Sequence, residues 1–149
     1  MLIATLPAAA ALCFLPARAH GAALPTPAHA ARTLNATDTA HLEYQRSSGS
    51  LLLEEGLATG ELEGTVKLRM TVGATVKGTF TISTRHWSIT GEASGTLHGT
   101  GLYASFAGSM TVSHGTGRYA HAHGHGGFYG VLNRNTYAMT VQTTGTLFY

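Results

Sequence analysis

The stretch "ELEGTVKLRMTVGATVKGTFTIS", Glu61 to Ser83, alternates apolar and polar residues with a period of two. Leu62, Gly64, Val66, Leu68, Met70 and Val72 fall on one side, and Glu61, Glu63, Thr65, Lys67, Arg69 and Thr71 on the other. The alternation resumes with Val76, Gly78, Phe80 and Ile82 against Lys77, Thr79, Thr81 and Ser83. Successive side chains of a strand point to opposite faces, so this pattern predicts β-strands with one buried face.

The same period runs onward to the C-terminus. Trp87, Ile89, Gly91, Ala93, Gly95 and Leu97 oppose Ser88, Thr90, Glu92, Ser94 and Thr96. Phe106, Gly108, Met110 and Val112 follow, then Tyr137, Met139, Val141, Gly145, Leu147 and Tyr149. No window of comparable length has helical spacing. A small unit recurs in "EGTVKL", "KGTFTI", "SGTLHG", "AGSMTV" and "TGTLFY", and its glycine always shares the apolar side. Glycine at inward positions lets a strand bend sharply, as closure of a small barrel requires. About eight strands fit between residues 41 and 149, and connections this short make them antiparallel. The expected fold is all-β: a single closed antiparallel β-barrel of about eight strands.

Composition agrees. The 149-residue chain suits one domain, with 19 glycines and only 11% charged residues. Its formal net charge is +2 without a basic stripe, so the electrostatic footprint of nucleic-acid binding is missing. The polar sides carry Glu61, Glu63, Lys67, Arg69 and Lys77, which argues against a membrane-inserted barrel, whose apolar face turns outward. Residues 1–19 read as a signal peptide, with an apolar run and an Ala17-Arg18-Ala19 cleavage pattern, although no Lys or Arg precedes the run. This makes secretion, to the extracellular or periplasmic side, the expected localisation. The lone cysteine, Cys13, falls within that segment, so the mature chain is expected to have no thiol chemistry. Residues 20–40, rich in Ala, Pro, His and Thr, read as a disordered linker to the barrel domain at 41–149.

The C-terminal part carries a resemblance. "FAGSMTVSHGTGRYAHAHGHGGFYG" followed by "VQTTGTLFY" resembles the allene oxide cyclase barrel-like superfamily, which includes plant dirigent proteins, and most closely its small secreted bacterial members. The shared features are Gly115-Thr116-Gly117, the Arg118-Tyr119 pair, and Ala122-His123-Gly124. The resemblance covers about residues 50–149, with its specific part in the last forty or so. It implies an eight-stranded barrel with a hydrophobic lumen open at one end, used by cyclases to enclose a reactive substrate and by dirigents to steer radical coupling. It also implies that Tyr119 and His123 stand on the lumen wall, although dirigents carry an arginine where this chain has His123. Related barrels form dimers and trimers, so a homo-oligomer is compatible with the resemblance, but no residue here specifies such an interface.

The histidines pose a separate question. Read as a strand, Tyr119, His121, His123 and His125 share one face, while Arg118, Ala120, Ala122, Gly124 and Gly126 share the other, continued by Phe128 and Leu132. Binary pattern alone turns the Ala/Gly/Phe face inward; the resemblance turns it outward. His-x-His-x-His spacing suits two imidazoles sharing a zinc, but a catalytic site needs a third ligand and its support, and His86, His98 and His114 cannot be placed by sequence. No metal site and no cofactor are assigned.

Other motifs fail on context. Gly115-x-Gly117-x-x-Ala120 precedes a strand rather than a helix, so it is no dinucleotide site. Glu61 and Glu63 share a polar face with Lys67 and Arg69 and read as solvated charge. Phe80, Trp87, Phe106 and Met110 join Tyr119 and His123 as candidate ligand-contacting residues. The expected function is binding of a small hydrophobic molecule in the lumen. Alternatives are a cofactor-independent cyclase or isomerase, with no catalytic residue identified, and a structural or surface-interaction barrel with a packed interior.

Overall fold

The computed structural model describes residues 31–149. The expected signal peptide, residues 1–19, and residues 20–30 of the expected linker lie outside the described residues. Eight strands follow in order: β1 Thr33–Ser48, β2 Leu51–Gly60, β3 Gly64–Val72, β4 Thr75–Ser83, β5 Ser88–His98, β6 Tyr103–Thr116, β7 His123–Asn133 and β8 Met139–Phe148. A single 3₁₀ turn, Gly117–Tyr119, lies between β6 and β7. Each strand pairs antiparallel with its neighbour in sequence, and β8 pairs with β1 to close the barrel. The chain is therefore an all-β, closed, eight-stranded antiparallel barrel.

Closure is staggered. The ladder leaving β1 at Tyr44 runs through Glu54, Leu68, Phe80, Gly91, Val112, Gly124 and Leu147, and returns to β1 at Leu34. This displacement along β1 tilts the strands, as closure of a sheet requires. Bulges at Tyr44/Arg46 in β1 and beside Thr90/Gly91 in the β5–β6 pair absorb local twist.

The apolar sides read from residues 62–112 and 139–147 face the interior. One buried cluster, toward the start of β2, includes Leu42, Leu52, Met70, Val76, Phe106, Leu132 and Met139. The other, toward the start of β3, includes Leu62, Trp87, Ile89, Tyr119 and Leu147. Glycine and aromatic rings share the layers between them. Phe80 is in register with Gly91, and a methyl group at 91 would come within 2.6 Å of the Phe80 Cζ. Phe106 stands in the same relation to Gly130. Each ring occupies the space that its cross-strand glycine vacates.

One boundary differs from expectation, and one strand departs from the binary pattern. β1 begins at Thr33, inside the segment 20–40 read as linker. Its inward side is Leu34, Ala36, Asp38, Ala40 and Leu42, where small residues and one acid mask the apolar period. β2 turns its less apolar side inward: Leu52, Glu54, Gly56 and Ala58 face the interior, while Leu57 is 63% exposed. The cause is space. A side chain at 56 would run into the His41 backbone carbonyl, so the position opposite Leu42 takes glycine, and the facing of the strand follows.

Substituting Gly91 by Ala is expected to destabilise the barrel by about 1–3 kcal/mol, because the added carbon overlaps the Thr111 carbonyl and the Phe80 ring. Gly101→Ala, where no atom lies within 4 Å, is the matched control and is expected to stay within about 0.5 kcal/mol. Urea denaturation of the two variants checks the difference.

Candidate functional site

The barrel interior holds a cavity of about 120 Å³, lined almost wholly by apolar side chains drawn from both buried clusters. Phe80, Phe106 and Met110 line it, alongside Leu68, Val76, Ile89, Phe128 and Val141. These side chains arrive there by strand alternation and the stagger between strands, without a specialised loop.

The other candidates from the sequence lie elsewhere. Trp87 and Tyr119 are buried in an aromatic plug at the barrel end where β3 starts. Their rings meet edge-on with centroids 4.9 Å apart, and Tyr149 packs on Tyr119 at 4.8 Å. The Arg118 guanidinium lies 4.7 Å from the Tyr119 ring centroid and 5.3 Å from that of Trp87, positions from which a cation is attracted by the ring faces. Burial pushes the Tyr119 phenol upward in pKa, against the pull of Arg118.

His123 is not on the lumen wall, which corrects the expectation drawn from the resemblance. It is exposed on the outer face, its ring stacked on Phe148 at 5.4 Å. The reason is local. The chain from Gly117 to Ala122 is a 3₁₀ turn followed by a turn, with His121 in the left-handed region at φ 72°, so β7 starts only at His123. From there Gly124, Gly126, Phe128, Gly130 and Leu132 alternate inward, as binary pattern alone required. His125 belongs to the wall by its place between Gly124 and Gly126, but its exposed side chain alternates to the outer face. Tyr119 and His123 therefore do not share a wall. Among the described residues, no three His, Cys, Asp or Glu side chains come together as a metal site would need.

Two acids do face inward, and neither stood out in the sequence. Asp38, on β1, is buried and lines the cavity, and its Oδ1 accepts the Leu62 backbone N–H at 2.7 Å. Burial raises its pKa, opposed by the Leu62 and Glu61 backbone N–H groups. Asp38 thus ties the β2–β3 turn to β1.

Glu54 differs. It is 2% exposed, and both carboxyl oxygens are buried without a hydrogen-bond partner. Its register partners are Leu68 on β3 and Tyr44 on β1, and the Tyr44 hydroxyl donates to Ser47 at 3.1 Å. Burial raises the Glu54 pKa from 4.5 to about 7. The adjacent Glu55 points outward and pairs with Lys67 at 3.7 Å. The sequence signal for Glu54 was its place in "LLLEEGLATG", two residues from Gly56 and four from Ala58 on the small-residue side of the strand.

No family model, curated protein or solved structure matches the chain. The closed eight-stranded antiparallel barrel is thus stated without a family assignment.

The raised pKa of Glu54 has a definite consequence for stability. Between pH 4.5 and about 7 the folded chain holds a proton there that the unfolded chain releases. The contribution of protonated Glu54 is full below pH 4.5 and is lost as pH rises through 7, a decline on the order of 3 kcal/mol. Glu54→Gln is expected to remove that slope. Urea denaturation from pH 4 to 9 tests this, and a variant with the same pH profile as the wild type would contradict it.

Proposed function

We propose that this barrel binds a small hydrophobic molecule in its lumen, and that it acts after secretion, as the leader-like residues 1–19 suggest. The observation that carries the reading is the apolar cavity of about 120 Å³ between the two buried clusters. Its size constrains the ligand. Pockets for drug-sized molecules run to roughly 300–1,000 Å³, whereas an apolar cavity of about 150 Å³ stays dry and accepts benzene. The ligand is accordingly a single ring or a short branched chain, and a long lipid does not fit without rearrangement.

The barrel architecture and the Gly115-Thr116-Gly117 segment support placing the chain among the allene oxide cyclase barrel-like proteins. Enclosed catalysis receives less support. Of the two polar groups expected to act in the lumen, His123 is outside and Tyr119 belongs to the end plug.

Benzene is expected to bind saturably and to raise the melting temperature with concentration, as any ligand of the folded state does. Ala40 lines the cavity, and Ala40→Leu is expected to fill it and abolish both effects. His123→Ala, on the outer face, is expected to leave both unchanged. A wild-type protein that shows no saturable benzene binding would remove the basis for this function.

A further inference from the structure

The connections β1–β2, β3–β4, β5–β6 and β7–β8 lie together at one end of the barrel, since each strand runs antiparallel to the next. The other end is the one plugged by Trp87, Tyr119 and Tyr149. The two ends show different surfaces to solvent. Of the seven large hydrophobic residues exposed among the described residues, Leu102, Tyr103, Val131 and Tyr137 lie in the first four connections or within three strand residues of them. A fifth, Tyr44, packs its ring 5.6 Å from that of Tyr137. None of the seven lies in the connections at the plugged end.

Charge divides the same way. Those four connections and their flanks hold Arg46, Lys77 and Arg134, and no acid. At the plugged end, Glu61 and Glu63 occupy one connection, and Arg85 and Arg118 the other two. Among the described residues Arg46, Lys77 and Arg134 form no ion pair. Arg134 donates from Nη2 to the Gly99 carbonyl at 2.6 Å, which ties the β7–β8 turn to the β5–β6 turn.

Packing does not account for the exposed rings. Tyr103 is 61% exposed. Tyr137 is held at φ 59°, a left-handed conformation that suits glycine and is costly for a bulky side chain, yet its ring is largely in solvent. The turn tips reach into open space: a carbon added at Gly49 or Gly101 would meet no atom within 4 Å.

Exposed tyrosines among unpaired cations match the chemistry of a bilayer interface. Tyrosine rings settle at head-group level, the apolar body toward the acyl chains and the hydroxyl toward water. Lysine and arginine are drawn to anionic head groups. A second copy of the chain fits less well, because apposing this end to itself sets its three cations against their counterparts.

We propose that this end of the barrel docks peripherally on a lipid surface rich in anionic head groups. Leu102, Tyr103 and Tyr137 enter the head-group layer, and Arg46, Lys77 and Arg134 face the phosphates. The barrel does not span the bilayer, since the outward sides of β3 and β4 carry Lys67, Arg69 and Lys77. This surface is separate from the lumen and does not depend on a ligand there.

The test is co-sedimentation with vesicles of phosphatidylcholine alone, or of equal parts phosphatidylcholine and phosphatidylglycerol. The mature chain, residues 20–149, is used so that the apolar leader does not contribute; it contains the whole barrel. Binding is expected on the mixed vesicles, to weaken with added salt, and to be about tenfold weaker or less on phosphatidylcholine alone. Arg46→Gln and Lys77→Gln are each expected to lower partitioning about fivefold, the effect of one cation near an anionic surface. Tyr103→Ser is expected to lower it as well, and Arg85→Gln, at the plugged end, to leave it unchanged. Lipids brominated in the acyl chains are expected to quench the added indole of Leu102→Trp, and not Trp87 of the wild type. No binding to mixed vesicles, equal losses from Arg85→Gln and Arg46→Gln, or an unquenched Leu102→Trp overturns lipid docking. Lipid-free dimerisation that Tyr103→Ser abolishes assigns this end to a second copy, and overturns it too.

Discussion

Closing eight strands on themselves leaves a narrow interior of nearly fixed width, and the rest of this structure answers to that constraint. Inward positions cannot all be large. The chain meets the limit by setting glycines opposite aromatic rings, Gly91 against Phe80 and Gly130 against Phe106. It also uses alanine on the inward sides of β1 and β2, at Ala36, Ala40 and Ala58. The same limit leaves a cavity of only about 120 Å³, because the spaces vacated by glycine are largely taken by the neighbouring phenylalanines.

The constraint also explains which parts of the fold were legible in advance. From Leu62 to Val112, inward residues are mostly large and apolar, and their alternation is plain to read. In β1 and β2 the interior demands small residues instead, so polarity and facing come apart. Leu34, Ala36, Asp38 and Ala40 do not look like a core stripe, so residues 33–40 of β1 read as linker although they pair with β8 through Leu147, Gly145 and Val141. In β2 the leucines advertise the wrong side. Gly56, opposite Leu42 and against the His41 carbonyl, was the better guide. Small residues in phase with a neighbouring strand carry facing information that hydrophobicity alone does not.

The candidate site was legible in part for a related reason. Phe80, Phe106 and Met110 reach the cavity because they obey the alternation from which they were inferred. His123 was placed by resemblance against the alternation, and the alternation prevailed. A 3₁₀ turn at Gly117–Tyr119 and a left-handed His121 separate Tyr119 from β7, so a single strand face through all four residues never forms. The Arg118–Tyr119–Trp87 stack then uses that segment to close one barrel end.

Side-chain chemistry in this barrel is distributed opposite to what residue identity suggests. His121, His123 and His125, which invite a metal or catalytic reading, are exposed to solvent, His121 in the turn before β7 and the other two on its outer face. The acids that matter came in with the small residues. Asp38 faces inward between Ala36 and Ala40, and the turn N–H of Leu62 offsets its burial. Glu54 faces inward because Gly56 and Ala58 must, and no group in the fold offsets its burial. Steric demand explains why position 54 is on the buried side of β2 but not why it is a glutamate, since leucine or methionine would satisfy the same geometry without an unmatched carboxyl. Among the described residues, that residual difference between what packing requires and what the chain contains is confined to the Glu54 carboxyl.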